Sequence, residues 1–223
     1  MISRGYAACS LFVVLLMAAA GWMAIARTPP AALVAVHFGF DGRPNGFAHP
    51  VVAFLLLPAV AAGLWVLLAV APRLDPRGAN LARSQTAYGL IWLLVTMFMA
   101  AVQGAVIGIA AGENIAMPQL TAFLMAGLFV IAGNFMGKIR PNNFIGIRTP
   151  WTRANDRVWD QTHRLGGFVF VAAGLAMAAA PFLISDPHRL MLAAALLPSA
   201  AVLVPVCWSY VLWRRFARAG TPA

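Results

Sequence analysis

Six apolar runs alternate with short polar segments along the chain, at about 6–26, 50–71, 88–110, 118–137, 165–184 and 189–213. As a helix, about 20 residues rising 1.5 Å each cross the ~30 Å hydrocarbon core of a bilayer. The pattern therefore predicts an all-α integral membrane protein with six transmembrane helices. Pro50 and Pro118 fall at first turns, where a missing N–H costs nothing. Pro58 lies inside the second run and should kink it, and Pro198 and Pro205 should bend the sixth.

Two of the polar segments are more than connections. In the first, 27–50, Val34, Val36, Phe38 and Phe40 alternate with smaller or polar residues, the period of a strand. Asp41-Gly42 and Asn45-Gly46 are turn dipeptides, so this loop is expected to fold back on itself. The second, 138–164, reads KIRPNNFIGIRTPWTRANDRVWDQTHR and gathers six basic residues, two acids, two tryptophans, three asparagines and a histidine. Its second half is expected to form a capped helix, with Thr152 or Asn155 as cap, continuous with the fifth span through a hinge at Gly166-Gly167.

Composition agrees with the pattern. The chain is 62% hydrophobic and only 10% charged, too little to clothe a soluble globule of 223 residues. Its net charge of +10 is explained by orientation, without nucleic acid. With both termini cytoplasmic, the inner segments hold Arg4, Arg73, Arg77, Arg83, Lys138, Arg140, Arg148, Arg153, Arg157, Arg164, Arg214, Arg215 and Arg218, which is 13 of the 16 basic residues. Trp92, Trp208, Tyr210 and Trp213 then lie near the inner boundary as an aromatic belt. The first run competes with a signal-peptide reading. Its length and the lack of a small-x-small cleavage site before Arg27 favour an uncleaved helix.

Within the spans, ionisable residues are essentially absent, which argues against a proton-coupled pump or a charge-lined channel. Gly104, Gly108 and Gly112 recur every four residues in the third span, and Gly133 and Gly137 do so in the fourth. Such spacing lets helix backbones approach in lipid, here the third and fourth helices, or two copies in a homodimer. Gln103 is expected to reach towards Thr121, and Asn134 to dock the polar loop onto the bundle. His37, His49 and Asp41 share one loop, but their spacing matches no zinc signature. On a helix Asp156, Asp160 and His163 fall at i, i+4 and i+7, where they could hold a metal or a proton. The plainer reading pairs Asp160 with Arg164 and sets Asp156 at the helix N-terminus. Cys9 and Cys207 are read as small buried side chains, and no cofactor, metal or catalytic residue is assigned.

The loop resembles the signature of the SdpI family, bacterial multipass proteins named for an immunity protein against a secreted toxic peptide. The resemblance rests on Gly133-Asn134, Lys138, Pro141-Asn142, Gly146-Ile147-Arg148-Thr149-Pro150-Trp151-Thr152, Trp159, Thr162-His163-Arg164 and Gly167. A looser one covers His37-Phe38, Gly42 and Asn45-Gly46, following Pro29 and Pro30, which look like the short domain of unknown function that often precedes the SdpI region. There Val34-Ala35-Val36 replaces the usual hydrophobic residue and proline. The chain then divides into an N-terminal helical hairpin with a folded extracytoplasmic loop, 1–72, and an SdpI-like four-helix region carrying the cytoplasmic signature loop, 73–223.

The resemblance implies toxin immunity at the bacterial cytoplasmic (inner) membrane and capture of a small cytoplasmic repressor. In that reading Arg148, Arg153 and Arg157 would meet an acidic partner, with Trp151 and Trp159 as anchors. The same residues could instead meet lipid headgroups and the membrane interface. The alternatives are a small-molecule or lipid transporter, and an enzyme using His163 with Asp156 or Asp160.

Overall fold

The computed structural model describes residues 4–218, and in it the six apolar runs are six helices of 20–32 residues, each long and apolar enough to cross a membrane. They are α1 (Arg4–Arg27), α2 (Pro50–Leu74), α4 (Gln85–Ala110), α5 (Met117–Met136), α7 (Asp156–Leu183) and α8 (Pro187–Arg218). Two short helices, α3 (Gly78–Arg83) and α6 (Pro150–Ala154), lie in the connections at one end of the bundle. A hairpin of β1 (Val34–Phe38) and β2 (Pro44–Ala48) lies at the other.

The spans pack as two groups of three. In the first, α1 lies against α2 and α4; in the second, α7 is sandwiched by α5 and α8. The seam between the groups, α4 against α5, is thin. Leu94, Met97 and Phe98 face Phe123, Leu128 and Ile131 across it, bulky side chains that leave a 240 Å³ gap.

Prolines explain how the first group is tied. Pro58 and Pro72 lie inside α2, and each lacks the N–H that its i−4 carbonyl would receive. Those carbonyls belong to Phe54 and Leu68, and both take a replacement donor from α4. The Gln103 side-chain amide donates to the Phe54 carbonyl at 3.1 Å and to the Met17 carbonyl of α1 at 2.8 Å. The Tyr88 hydroxyl donates to the Leu68 carbonyl at 2.6 Å. Gln103 thus joins three helices of its own group and does not reach towards Thr121. Close approach is possible because α1 has Gly21 here, where a Cβ would lie 2.4 Å from the Phe54 carbonyl oxygen.

Glycines tie the second group, and their partners differ from the sequence expectation. A Cβ at Gly133 would lie 2.8 Å from the Gly167 carbonyl oxygen, and one at Gly167 would lie 2.9 Å from the Gly133 carbonyl oxygen. Gly174 meets the α5 backbone at Val130 in the same way. The close seam is therefore α5–α7, because backbone contact needs small residues on both sides and α7 supplies them. Gly104 faces open space, Gly108 meets Ile115 and Glu113 of the following turn, and Gly112 (φ 91°) forms that turn. Gly137 caps the end of α5. Gly166-Gly167 is a close-packed point in continuous helix, not a hinge.

The hairpin turns at Gly39–Arg43, with Gly42 at φ 74°. Asn45-Gly46 lies within β2 and not in a turn; there a Cβ on Gly46 would meet the His37 Cβ at 2.8 Å. Val34 packs with Ala24, Phe54 and Val106 of the first group. The far side of the hairpin reaches the second group, with Gly42 against Pro118 and Phe40 edge-on to His188 at 6.0 Å.

Replacing Gln103 with Leu should lower the melting temperature of the detergent-solubilised protein, at about 1 kcal/mol for an interhelical polar contact. In a Pro58→Ala background, where the Phe54 carbonyl regains its helical donor, the same replacement should cost less. Equal costs in both backgrounds would show that Gln103 does not serve that carbonyl.

Candidate functional site

The polar loop between α5 and α7 is short of apolar residues, so its own polar side chains must give it shape. Asn142, buried, donates from Nδ2 to the Arg140 carbonyl at 2.9 Å. Its Oδ1 accepts from the amides of Phe144 and Ile145, both at 2.8 Å, which closes a tight turn. Gly146 follows at φ 101°, strained for any other residue, and a Cβ there would also strike His163. Thr149 and Thr152 form a reciprocal capping box at the start of α6, where Pro150 takes the first helical position. Asn155 caps α7 by accepting from the amides of Arg157 and Val158.

The folded loop is gripped by the corner between α2 and α4. Asp75, at the end of α2, accepts from the backbone amide of Asn143 at 2.8 Å and from its side-chain amide at 2.7 Å. The Arg77 amide donates to the same carboxylate at 2.8 Å. Asn80 donates to the Pro141 carbonyl at 2.9 Å, and Ser84 Oγ accepts from the Arg140 amide at 2.9 Å. Beneath these bonds Leu81, Tyr88 and Trp92 from the corner pack with Ile139, Ile145 and Trp159 from the loop and α7. Trp159 is 0% exposed, and its indole N–H donates to the Ile139 carbonyl at 2.8 Å. An Arg77–Asp156 ion pair at 3.0 Å closes the outside. Being exposed, it adds little. Burial would raise the Asp75 carboxyl, but the Asn143 and Arg77 hydrogen bonds and the Arg77 charge outweigh it and hold the group below the usual carboxylate range.

His163 is the second fastening. Its ring is 1% exposed and stacks on Trp159 at 4.1 Å, 17° from parallel. Nδ1 lies 2.8 Å from the Trp159 carbonyl, which can only accept, so Nδ1 carries the proton. Nε2 accepts from the Ile147 amide at 3.0 Å. The imidazole is thus neutral, and both nitrogens are occupied by backbone. Asp156 and Asp160 are exposed, and Asp156 pairs with Arg77, so the three do not converge. Asp160 and Arg164 form no ion pair among the described residues, where the ion pair present is Arg77–Asp156. No group of three possible metal ligands occurs among the described residues, in the hairpin or elsewhere. In the hairpin His37 hydrogen-bonds Asn45, and Asp41 accepts from the Arg43 amide at 3.1 Å.

Other expected positions also turn inward. Trp151 rests on Tyr210 of α8, ring centroids 5.0 Å apart, and Thr149 Oγ1 lies 3.1 Å from Ser209 Oγ. Trp159 is wholly used by the loop and is no outward anchor, while Trp151 is half-buried against α8. Thr162 is fully buried beside His163, and Lys138 sits over the Phe135 ring at 4.7 Å. Asn134 does not dock the loop. Its amide donates to the Val130 carbonyl of its own helix at 2.8 Å. Arg148, Arg153 and Arg157 remain exposed. Arg148 donates to the Asn143 carbonyl at 2.6 Å and Arg153 to the Asn143 side chain at 3.1 Å. With Arg77, Asn143 and Pro150, Arg153 borders a 450 Å³ depression. Asp75, Asn80, Ser84 and Ser209 carry the site equally, although sequence reading passed over them. Their loop partners lie 56–68 residues away, so no local spacing signals them.

The SdpI/YfhL protein family model matches residues 138–209, from the start of this loop to the serine that receives Thr149. The hairpin lies outside the match. A curated relative, "Immunity protein SdpI" of Bacillus subtilis (strain 168), is 31% identical over 91 residues. That alignment covers 40% of this chain and 42% of the relative, so the likeness spans less than half of either. No solved structure matches.

Asp75→Asn should cost about 1–3 kcal/mol, because one of three donors loses its acceptor. It should also open Arg148 and Arg153 to trypsin in vesicles where the unaltered loop resists. Since the folded carboxyl titrates below its unfolded value of about 4, its contribution is present above that range and fades as pH falls through the folded value. The melting temperature of Asp75→Asn should lack this acid-side step; an unchanged step and unchanged cleavage would remove Asp75 from the clamp. The residues that match the SdpI/YfhL protein family model, 138–209, therefore carry the clasped loop together with two of the six helices long and apolar enough to cross a membrane.

Proposed function

We propose that this chain is a non-enzymatic immunity protein of the bacterial inner membrane, protecting its cell from a secreted toxic peptide. The observation that carries the reading is the use made of the family's residues. Asn142, Gly146, Thr149, Trp159 and His163 all serve to hold one loop in one shape. A loop held so rigidly presents a fixed surface, which suits recognition. Its one histidine has no free nitrogen for chemistry.

The basic-residue count orients the clasped loop and both chain ends to the cytoplasm. The hairpin then faces outward, where a secreted peptide arrives, and Phe40 and Phe47 are exposed on it as apolar contacts. On the inner face Arg148, Arg153 and Arg157 form the contact for an acidic surface of a small repressor protein. The two roles use opposite ends of the bundle, so they are separable.

Expression in Bacillus subtilis lacking its own SdpI should restore survival under the secreted toxic peptide. Unchanged killing by that peptide and by a panel of related ones would sink the immunity role. Changing Arg148, Arg153 and Arg157 together to Glu should keep protection while abolishing co-sedimentation with membrane vesicles of a small repressor protein co-expressed with the chain. Full co-sedimentation by the triple variant would overturn the arginine contact.

A further inference from the structure

A groove of 480 Å³ runs along the α5–α7 seam, with Gly133, Asn134 and Gly137 on one side and the face of α7 from Arg164 to Leu175 on the other. Eleven helical steps from Arg164 to Leu175 make it about 16 Å long, which is one leaflet of a ~30 Å hydrocarbon core. An extended hydrocarbon chain fits along a groove of that length and volume. The wall is apolar, with Phe168 76% and Leu175 58% exposed.

One end of the groove is charged. Arg164 is exposed at the loop end and makes no ion pair or hydrogen bond among the described residues, although Asp160 lies one turn before it. Its stem leans across the seam, with Cγ 3.8 Å from where a Cβ at Gly137 would stand. Asn134 spends its amide on Val130, leaving its side-chain oxygen without a protein partner beside the same end. A cation at headgroup level, above an apolar groove one leaflet deep, is complementary to an anionic phospholipid. We propose that the α5–α7 groove holds such a lipid, its phosphate on Arg164 and one acyl chain along Phe168 and Leu175. This proposal does not rest on the immunity reading.

The test uses the full chain in nanodiscs of phosphatidylcholine with or without phosphatidylglycerol, followed by mild detergent extraction and native mass spectrometry. The unaltered protein should retain phosphatidylglycerol in preference to phosphatidylcholine and melt higher when it is present. Arg164→Gln should reduce that retention about five-fold, the effect of one basic side chain at an anionic surface. Ala172→Phe, which fills the groove from an exposed position, should abolish it, whereas Arg189→Gln at the opposite end should not change it. Glycerol phosphate, the headgroup without chains, should not raise the melting temperature. Equal retention of the two lipids, or full preference in both groove variants, would overturn the proposal. So would a dimer that Ala172→Phe splits, since the groove would then be an interface between copies.

Discussion

Asp75 is the one buried carboxylate among the described residues, and the junction between the two halves of the protein depends on it. Lipid tails give helices no hydrophobic reason to associate, so transmembrane groups hold together by close packing and by polar bonds. Across the α4–α5 seam the packing is loose: apolar side chains, with Ala101 and Gly127 among them, line a gap. The attachment is therefore made at the end of the bundle. A negative acceptor at the close of α2 takes both amides of Asn143, bonds stronger than neutral ones. Ser84 and Asn80 extend the grip by two more residues. The apolar cluster beneath, with Trp92 and Trp159 at its centre, excludes water from the clasp.

The same economy governs the spans. A polar side chain in hydrocarbon needs a partner, and a proline leaves a carbonyl that needs one. In α2 these two demands cancel. Gln103 answers Pro58 and Tyr88 answers Pro72, so prolines that would weaken a lone helix become sites where α4 is attached. In the second group the glycines of α5 and α7 achieve attachment without side chains at all. Small-residue contact there and proline-directed hydrogen bonding in the first group tie each half within itself, and the clasp ties the two to each other.

What could be read in the sequence follows from the range of each interaction. Six spans were legible because bilayer thickness fixes their length locally. The cap at Asn155 was legible because it acts on amides two or three residues ahead, whereas Thr152 proves to be the third residue of the short helix that Thr149 caps. The turn at Gly42 was legible for the same reason, while Asn45-Gly46 misled, since Gly is also needed where a strand passes close to a neighbouring side chain. Long-range pairing was not legible. Gly133 was matched to the adjacent helix, α4, yet its partner is in α7, because spacing shows only that a helix has a small face. Likewise Trp151 and Trp159 stood out as exceptional in a polar loop. Nothing in the local pattern says that Tyr210 and Ile139 receive them.

That inward use of the motif changes what a partner can recognise. Residues committed to the clasp contribute shape and present no contact surface of their own. His163 shows the constraint most sharply. Its Nε2 must accept from Ile147 while Nδ1 donates to Trp159, so only the neutral ring fits. An imidazolium would place a second donor against the Ile147 amide, and the turn at Gly146 leaves no space for the ring to retreat. The ring therefore links the register of α7 to the path of the loop. Whatever meets the exposed arginines meets an arrangement set from behind by this stacked pair. A change at His163 or Trp159 would reach a partner through the displaced positions of Arg148 and Arg153.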